Sequence, residues 1–165
     1  MRAIQRWKDR GLGPEKIGVA EAGDMAGGRL QEIYRQFGYF AETVVSNTYP
    51  GKEGAEKMSR IMKTLRENPP GEIGGSRVAA IRDYLKGIRT QDGKTAPLDS
   101  PPSDVLYFEL DGSQWLCARP SGTEPKIKYY ILCKTDVPAA GLEKAKAQTR
   151  EKIQAIEADI RKVIG

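Results

Sequence analysis

Histidine is absent from all 165 residues of the chain. Without an imidazole, a Ser-His or Cys-His nucleophile, histidine acid–base catalysis and the usual histidine-containing zinc sites are excluded. Cysteine occurs only as Cys117 and Cys133, which is too few residues to build a structural zinc site. Both lie in apolar runs that predict strands, and we interpret them as reduced core residues, with a disulfide as the lesser alternative.

Long apolar runs are also lacking. No stretch is long enough to span a bilayer, and residues 1–8 do not have the apolar core of a signal peptide, so we expect a cytoplasmic protein. A hydrophobic content of 39% and a charged content of 30% are typical of a globular domain. The net charge of +5 favours an anionic partner, and nucleic acid, phosphorylated metabolites and acidic proteins all fit that description.

One stretch of the chain combines several groups that bind anions. It reads Arg119-Pro120-Ser121-Gly122-Thr123-Glu124-Pro125-Lys126 and lies between two apolar runs, which predicts a strand, a loop and a second strand. Arg119 presents a planar set of N–H donors that matches phosphate oxygens, while Ser121 and Thr123 add hydroxyl donors. Gly122 can adopt a positive φ angle, which would let successive backbone N–H groups converge on an anion.

Two lysines follow on the outgoing strand. Lys126 and Lys128 share one face of that strand, because side chains alternate between faces, and both add positive charge near the loop. The alternative is that Ser-Gly-Thr is only a hairpin turn, but a turn by itself does not require converging cations. The candidate site residues are therefore Arg119, Ser121, Gly122, Thr123, Lys126 and Lys128.

The pattern along the chain predicts an α+β fold. We expect an antiparallel sheet of four to five strands with two amphipathic helices packed on one face, preceded by a helical N-terminal extension. Strands are predicted at 43–48, 77–84, 105–110, 114–118 and 126–135, and helices at 29–37, 51–68 and from about 138 to the C-terminus. Residues 23–28 and 85–103 are predicted to be loops because they are rich in small residues, glycine and proline.

The loop and several upstream segments resemble the α-D-phosphohexomutases, which are the phosphoglucomutases and phosphomannomutases. The stretch from Arg119 to Lys128 is similar to the phosphate-binding loop in the last domain of that family. The other similar segments are Phe37-Gly38-Tyr39-Phe40, Tyr49-Pro50-Gly51-Lys52-Glu53-Gly54, Asn68-Pro69-Pro70, and Ile73-Gly74-Gly75 followed by Asp83-Tyr84. The resemblance covers roughly residues 37–165. It implies a tail of the preceding domain or a linker at 1–40, helical and partly irregular, and the C-terminal domain at 41–165.

The resemblance also implies a role within a larger enzyme. In that family four domains surround one cleft, and a phosphoryl group moves between two hydroxyls of a sugar phosphate through a bisphosphorylated intermediate. The first domain carries a phosphoserine, the second holds Mg²⁺, the third reads the sugar, and the fourth grips the non-reacting phosphate. We find no motif of the first three domains, so we expect a truncated chain that has no catalytic residue or metal site and is inactive alone. Mg²⁺ and a sugar bisphosphate activator are implied only for the full-length enzyme, whose other domains and phosphorylated sugar would be the partners.

A competing interpretation is a basic module that binds single-stranded nucleic acid or another anionic partner. Trp115, Tyr129 and Tyr130 lie near the cations and offer rings on which bases stack. We expect at least half of these rings to face the core, which makes nucleic acid the less favoured partner. A third interpretation is an interaction domain that binds no small ligand.

Overall fold

The computed structural model describes residues 19–137 and 141–164. Residues 1–18 of the expected N-terminal extension lie outside this described part, and so does residue 138, the predicted start of the last helix. The helices are α1 (Val19–Phe37), α2 (Gly51–Glu67) and α3 (Leu142–Ile164). The strands are β1 (Tyr39–Thr48), β2 (Glu72–Ile73), β3 (Ser76–Asp83), β4 (Ile88–Gln91), β5 (Lys94–Pro97), β6 (Leu106–Leu110), β7 (Gln114–Pro120) and β8 (Lys126–Thr135). Among the described residues, no helix is long and apolar enough to cross a membrane.

The strands form one antiparallel sheet in the order β1-β8-β7-β6-β3-β4-β5, and the short β2 pairs with β3. β8 is paired along its whole length with β1, from Tyr39 opposite Thr135 to Thr48 opposite Lys126. Its other edge pairs with β7, so that Arg119 lies opposite Lys128. The predicted α+β class is confirmed, and the candidate loop connects two neighbouring strands well inside the sheet.

The predicted number of four to five strands is wrong, because the described residues contain eight. Most of the difference lies in 85–103, where β4 and β5 form a hairpin in place of the predicted loop. Asp92 and Gly93 connect them with φ angles of 47° and 74°, as a two-residue hairpin turn requires. β5 is exposed at every position, so it lacks the alternation of apolar and polar residues by which strands are recognised.

The core lies between one face of the sheet and the helices α2 and α3. Its strand residues alternate along β6, β7 and β8, where Phe108, Ile127 and Ile131 are fully buried. The helices contribute an apolar stripe each, formed by Ile61, Met62 and Leu65 in α2 and by Ile156 and Ile160 in α3. Burial of such side chains supplies about 1.5–3 kcal/mol each, which is the main force that holds the two layers together.

The opposite face of the sheet, here called the open face, is the more exposed one among the described residues. In β1 the even-numbered residues are exposed, and Val44 and Ser46 lie beside Tyr130 and Lys128 of β8. The two cysteines illustrate the division between the faces. Cys133 is buried on the helix side, where burial raises the pKa of its thiol to about 11, whereas Cys117 is half-buried on the open side. Both are free thiols.

Helix α1 is longer than predicted. It begins at Val19 and runs through residues 23–28, which the sequence predicts to be a loop. That prediction is wrong because a glycine costs a helix only about 1 kcal/mol, and a helix already formed at 29–37 extends cooperatively. Tyr34 packs edge-on against Tyr39 of β1, with the ring centroids 5.2 Å apart, which attaches the end of α1 to the sheet.

Candidate anion-binding site

The six predicted site residues come together at one end of the open face. Arg119 is near the end of β7, Lys126 and Lys128 are near the start of β8, and the loop between the strands holds the other three. An antiparallel pair places directly opposite residues on the same face, so Arg119 and Lys128 project toward the same side. Strand alternation places Lys126 on that side as well.

The loop is ordered by its own hydrogen bonds. The N–H of Ser121 donates to the carbonyl of Lys126 at 2.9 Å, which closes the turn. The hydroxyl oxygen of Ser121 accepts from the N–H groups of Thr123 and Glu124 at 3.4 and 3.3 Å. A further bond of 2.6 Å from the N–H of Tyr49 to the carbonyl of Pro125 ties the loop to the start of α2. The turn is therefore pre-organised, which lowers the entropy lost when a ligand binds.

The sequence allows a positive φ angle at Gly122, but Gly122 is not among the glycines that adopt one. The turn is held by the N–H groups of Thr123 and Glu124, which donate to the hydroxyl oxygen of Ser121. A Cβ atom built on Gly122 would meet no other atom within 4 Å. What the glycine provides is an uncovered backbone that a ligand can approach closely.

The cations of the site differ in their partners. The ammonium of Lys126 forms an ion pair with the carboxylate of Glu124, and this contact, followed by the charge of Lys128, lowers the pKa of Glu124. Neither Arg119 nor Lys128 forms an ion pair or a side-chain hydrogen bond with another residue that the structure describes. Two cations thus face each other across β7 and β8 without a carboxylate between them.

A shallow cavity of about 390 Å³ lies over these groups. Its lining consists of Arg119, Pro120, Ser121, Gly122, Thr123, Glu124, Lys126, Lys128 and Tyr130. Sequence reasoning missed three of these as site residues, Pro120, Glu124 and Tyr130. The placement of Tyr130 in the site could have been predicted, because Tyr130 lies two positions beyond Lys128 and therefore on the same face of β8.

The aromatic rings near the cations are divided between the two faces. Tyr129 is buried in the core, whereas Trp115 and Tyr130 are half-buried on the open side. The expectation that at least half of the three rings face the core is therefore wrong, because alternation in β7 turns Trp115 outward. Trp115 stacks on Tyr107 with a centroid distance of 5.1 Å.

Metal ligands are not clustered in the part of the chain described here. Within it, no group of three or more acidic, cysteine or histidine residues is placed to hold a metal ion. The site instead brings together hydroxyl, guanidinium and ammonium groups and the N–H of Gly122. Such a set suits the oxygens of a phosphate or another oxyanion.

Comparison with known proteins points to one kind of enzyme. The phosphoglucomutase of Staphylococcus aureus strain MRSA252 is 44% identical over 107 residues, which are 64% of this chain and 19% of that protein. The phosphoglucomutase of strain USA300 is 41% identical over the same shares. A crystal structure of the Paramecium phosphoglucomutase pp63/parafusin in an open form aligns over 88% of this chain and 22% of that one, with a TM-score of 0.41 and 16% identity. No protein-family profile matches the chain.

The relationship concerns a part of these enzymes. The chain spans about a fifth of the length of the curated relatives it matches, as the 19% coverage shows. The level of identity over 107 residues is far above that of unrelated sequences. The distant structural similarity adds nothing to this relationship in sequence. The chain is therefore similar in sequence to a domain-sized part of the phosphoglucomutases.

Proposed function

We propose that the loop between β7 and β8 grips the non-reacting phosphate of a sugar phosphate during intramolecular phosphoryl transfer. The observation that carries this proposal is the pair of opposed cations, Arg119 and Lys128, beside a turn that offers hydroxyl groups and the N–H of Gly122. Arg119 supplies a bidentate donor set, and Ser121 and Thr123 supply hydroxyls. The exposed backbone at Gly122 allows close approach, and Lys128 neutralises the second phosphate charge.

Such a grip contributes to catalysis without touching the reacting atoms. A phosphate held at one end of a sugar orients the other end toward the groups that perform the chemistry. The binding energy of the non-reacting group is then used to position the substrate in the transition state. In this proposal the described residues contribute binding and orientation, and the phosphoryl transfer itself is performed elsewhere in the enzyme.

The remaining parts of the proposal concern the complete enzyme. Residues 41–165 are its C-terminal domain, and residues 1–40 are a linker or the tail of the domain before it. Mg²⁺ and a sugar bisphosphate activator belong to the complete enzyme, as do the other domains that close the cleft. The chain alone is expected to be inactive, and the expected cytoplasmic location is part of the same proposal.

Calorimetric titration of the chain with glucose 6-phosphate tests the proposal. Arg119→Ala should weaken binding about tenfold to a hundredfold, because a charge-assisted bidentate contact is lost. Arg77→Ala is the matched control, since Arg77 is an exposed arginine outside the loop that pairs with Asp111. No binding to the unaltered chain, or equal losses in the two variants, would refute the proposal.

A second candidate is binding of single-stranded nucleic acid, which the outward placement of Trp115 and Tyr130 beside Arg119 and Lys128 favours. A salt titration of binding to a single-stranded oligonucleotide separates the two candidates. Binding whose affinity falls steeply with salt would support the nucleic-acid candidate. Absence of binding at moderate salt would remove it.

A further inference from the structure

Tyr130 is an aromatic residue in the lining of the candidate site that the phosphate grip does not use. It lies two positions beyond Lys128 on β8, so the two side chains leave the same face of the strand about 6.8 Å apart. Its cross-strand neighbours on that face are Val44 of β1 and Cys117 of β7. Neither neighbour is charged. The row of side chains that contains Tyr130 is therefore uncharged, whereas the adjacent row, which contains Lys128 and Arg119, is strongly cationic.

The ring of Tyr130 has neighbours on both adjacent strands and remains partly accessible. Tyr130 is half-buried, and Val44 and Cys117 flank it on the two adjacent strands. Among the described residues, none forms a hydrogen bond with its hydroxyl. A partly exposed ring that lines a ligand cavity offers its electron-rich face to groups with slight positive charge.

A hexose phosphate carries such groups at a suitable separation. Its phosphate needs cations and N–H donors, whereas its ring presents polarised C–H groups next to hydroxyls. When a phosphate ester binds between Arg119 and Lys128, the group bonded to the phosphate lies within reach of the next row of side chains. Tyr130 belongs to that row. Acyclic phosphate esters have no ring to lay against this side chain.

We propose that Tyr130 contacts the sugar ring and makes the site selective for cyclic sugar phosphates over acyclic phosphate esters. The inference rests on the proposed phosphate grip, and it adds a residue of this chain that distinguishes a cyclic sugar from an acyclic group attached to the phosphate. Tyr130 is a binding and positioning residue in this role, since it acts through the contact of its ring and supplies no proton. The hydroxyl is dispensable and the ring is required.

The test compares glucose 6-phosphate with glycerol 3-phosphate, which have the same phosphate charge but differ in the ring. Dissociation constants are measured by NMR titration of the whole chain. The unaltered chain should bind the hexose phosphate about two- to tenfold more tightly, the range expected of one aromatic contact. Tyr130→Phe should keep this preference and Tyr130→Leu should abolish it, with the glycerol 3-phosphate affinity unchanged in both.

Phe40→Leu is the matched control, because Phe40 is an exposed aromatic residue on the same face but at the far end of β1. It should leave the preference intact. Equal affinity of the unaltered chain for the two esters, or a preference that survives Tyr130→Leu, would overturn the role of Tyr130 while leaving the phosphate grip standing. Failure of the unaltered chain to bind either ester would instead overturn the proposed function, and this inference with it.

Discussion

Arg119 and Lys128 lie directly opposite each other on β7 and β8, and no carboxylate within the described residues pairs with either. Like charges at directly opposed positions destabilise a sheet. Lys126, two residues away on the same strand, is paired with Glu124. The two lysines are equivalent in the sequence pattern but differ in the structure. Lys126 has an ion-pair partner, whereas Lys128 has none among the described residues and lies opposite Arg119.

This separation predicts unequal effects of removing the two lysines. Lys128→Gln should weaken phosphate binding about tenfold or more, because it removes one of the two cations that no carboxylate neutralises. Lys126→Gln should change binding less than about threefold, since Glu124 already compensates that charge. Titration calorimetry with inorganic phosphate measures both. A larger loss with Lys126→Gln would show that the ion pair with Glu124 opens when the ligand binds.

Removal of Lys128 should also relieve the opposed charges. In phosphate-free buffer of low salt, Lys128→Gln should raise the free energy of unfolding by about 0.2–1 kcal/mol, the range for cross-strand pairs. Urea unfolding followed by circular dichroism measures the change. The difference should fade in 1 M salt because the Debye length there is about 3 Å. A destabilised variant at low salt would contradict this reading of the cation pair.

Asp83 joins α2 to the turn after β3, and its removal should be costly. Its carboxylate is 7% exposed and accepts from the guanidinium of Arg66 at 3.1 Å and from the N–H groups of Leu85 and Lys86 at 3.1 and 3.2 Å. Asp83→Ala should lower the free energy of unfolding by about 3–5 kcal/mol, since it leaves Arg66 and two N–H groups without this acceptor.

Asp104 provides the control for that substitution. It pairs with the same arginine at 2.5 Å but is 46% exposed. Asp104→Ala should therefore cost less than about 1 kcal/mol. Chemical denaturation of the two variants gives the comparison, and similar losses would mean that burial of Asp83 does not determine the strength of this network.

Alanine substitutions at Gly74 and Gly75, in the turn between β2 and β3, should lower the stability by different amounts. Both have positive φ angles, 58° and 74°, so alanine strains the backbone at either position by about 1–2 kcal/mol. A Cβ atom on Gly74 would also lie 2.5 Å from Cγ1 and 2.8 Å from the backbone nitrogen of Ile156 in α3, whereas one on Gly75 meets nothing within 4 Å. Gly74→Ala should therefore destabilise the domain by about 2 kcal/mol more than Gly75→Ala. Thermal unfolding that finds the two variants equally stable would refute the close packing of this turn on α3.

Glu109 should make the stability depend on pH. Hydrogen bonds from Arg89, and then from Arg82, lower the pKa of its carboxyl group to about 2 from an ordinary value of 4.5. Because the pKa is lower in the folded state, the stabilisation is present above about pH 4.5 and is lost as the pH falls toward 2. We expect Glu109→Gln to remove about 1–2 kcal/mol at pH 6, after allowance for partial exposure of both arginines, and much less at pH 3.

Urea unfolding of the Glu109→Gln variant between pH 3 and pH 7 measures this dependence. Glu143→Gln is the control, because Glu143 pairs with Lys146 on the surface of α3 and its side chain is 85% exposed. It should leave the pH dependence of stability nearly unchanged. A Glu109 variant with the same pH dependence as the unaltered chain would contradict the strong coupling of Glu109 to its two arginines.

The parts of the fold that follow a strict pattern were predictable from the sequence. β8 has the predicted limits, Lys126–Thr135, because its apolar residues alternate without interruption and are buried between two strands and two helices. Helix α2 ends within a residue of its prediction, since Pro69 and Pro70 cannot continue it. In these segments the local preference of the residues and their tertiary packing favour the same secondary structure, so the sequence alone is enough to predict it.

The parts that depend on three-dimensional contacts were not predictable. β5 gains its structure from pairing with β4 and has no buried face of its own. In the site, six of the nine residues that line the cavity were predicted, but the difference between Lys126 and Lys128 follows from where the turn places Glu124. The backbone of Gly122 likewise depends on the hydrogen bonds that Ser121 accepts, which no spacing rule contains.

The central claim is that the loop between β7 and β8 closes around the phosphate of a sugar phosphate. Its most direct test is an NMR titration of the isotopically labelled chain with glucose 6-phosphate, following the backbone amide signals of Ser121, Gly122 and Thr123. The claim predicts saturable shifts of these signals at physiological salt, with small changes elsewhere on the sheet, and their loss in Arg119→Ala. Amide signals that do not move, or that move equally without Arg119, would contradict it.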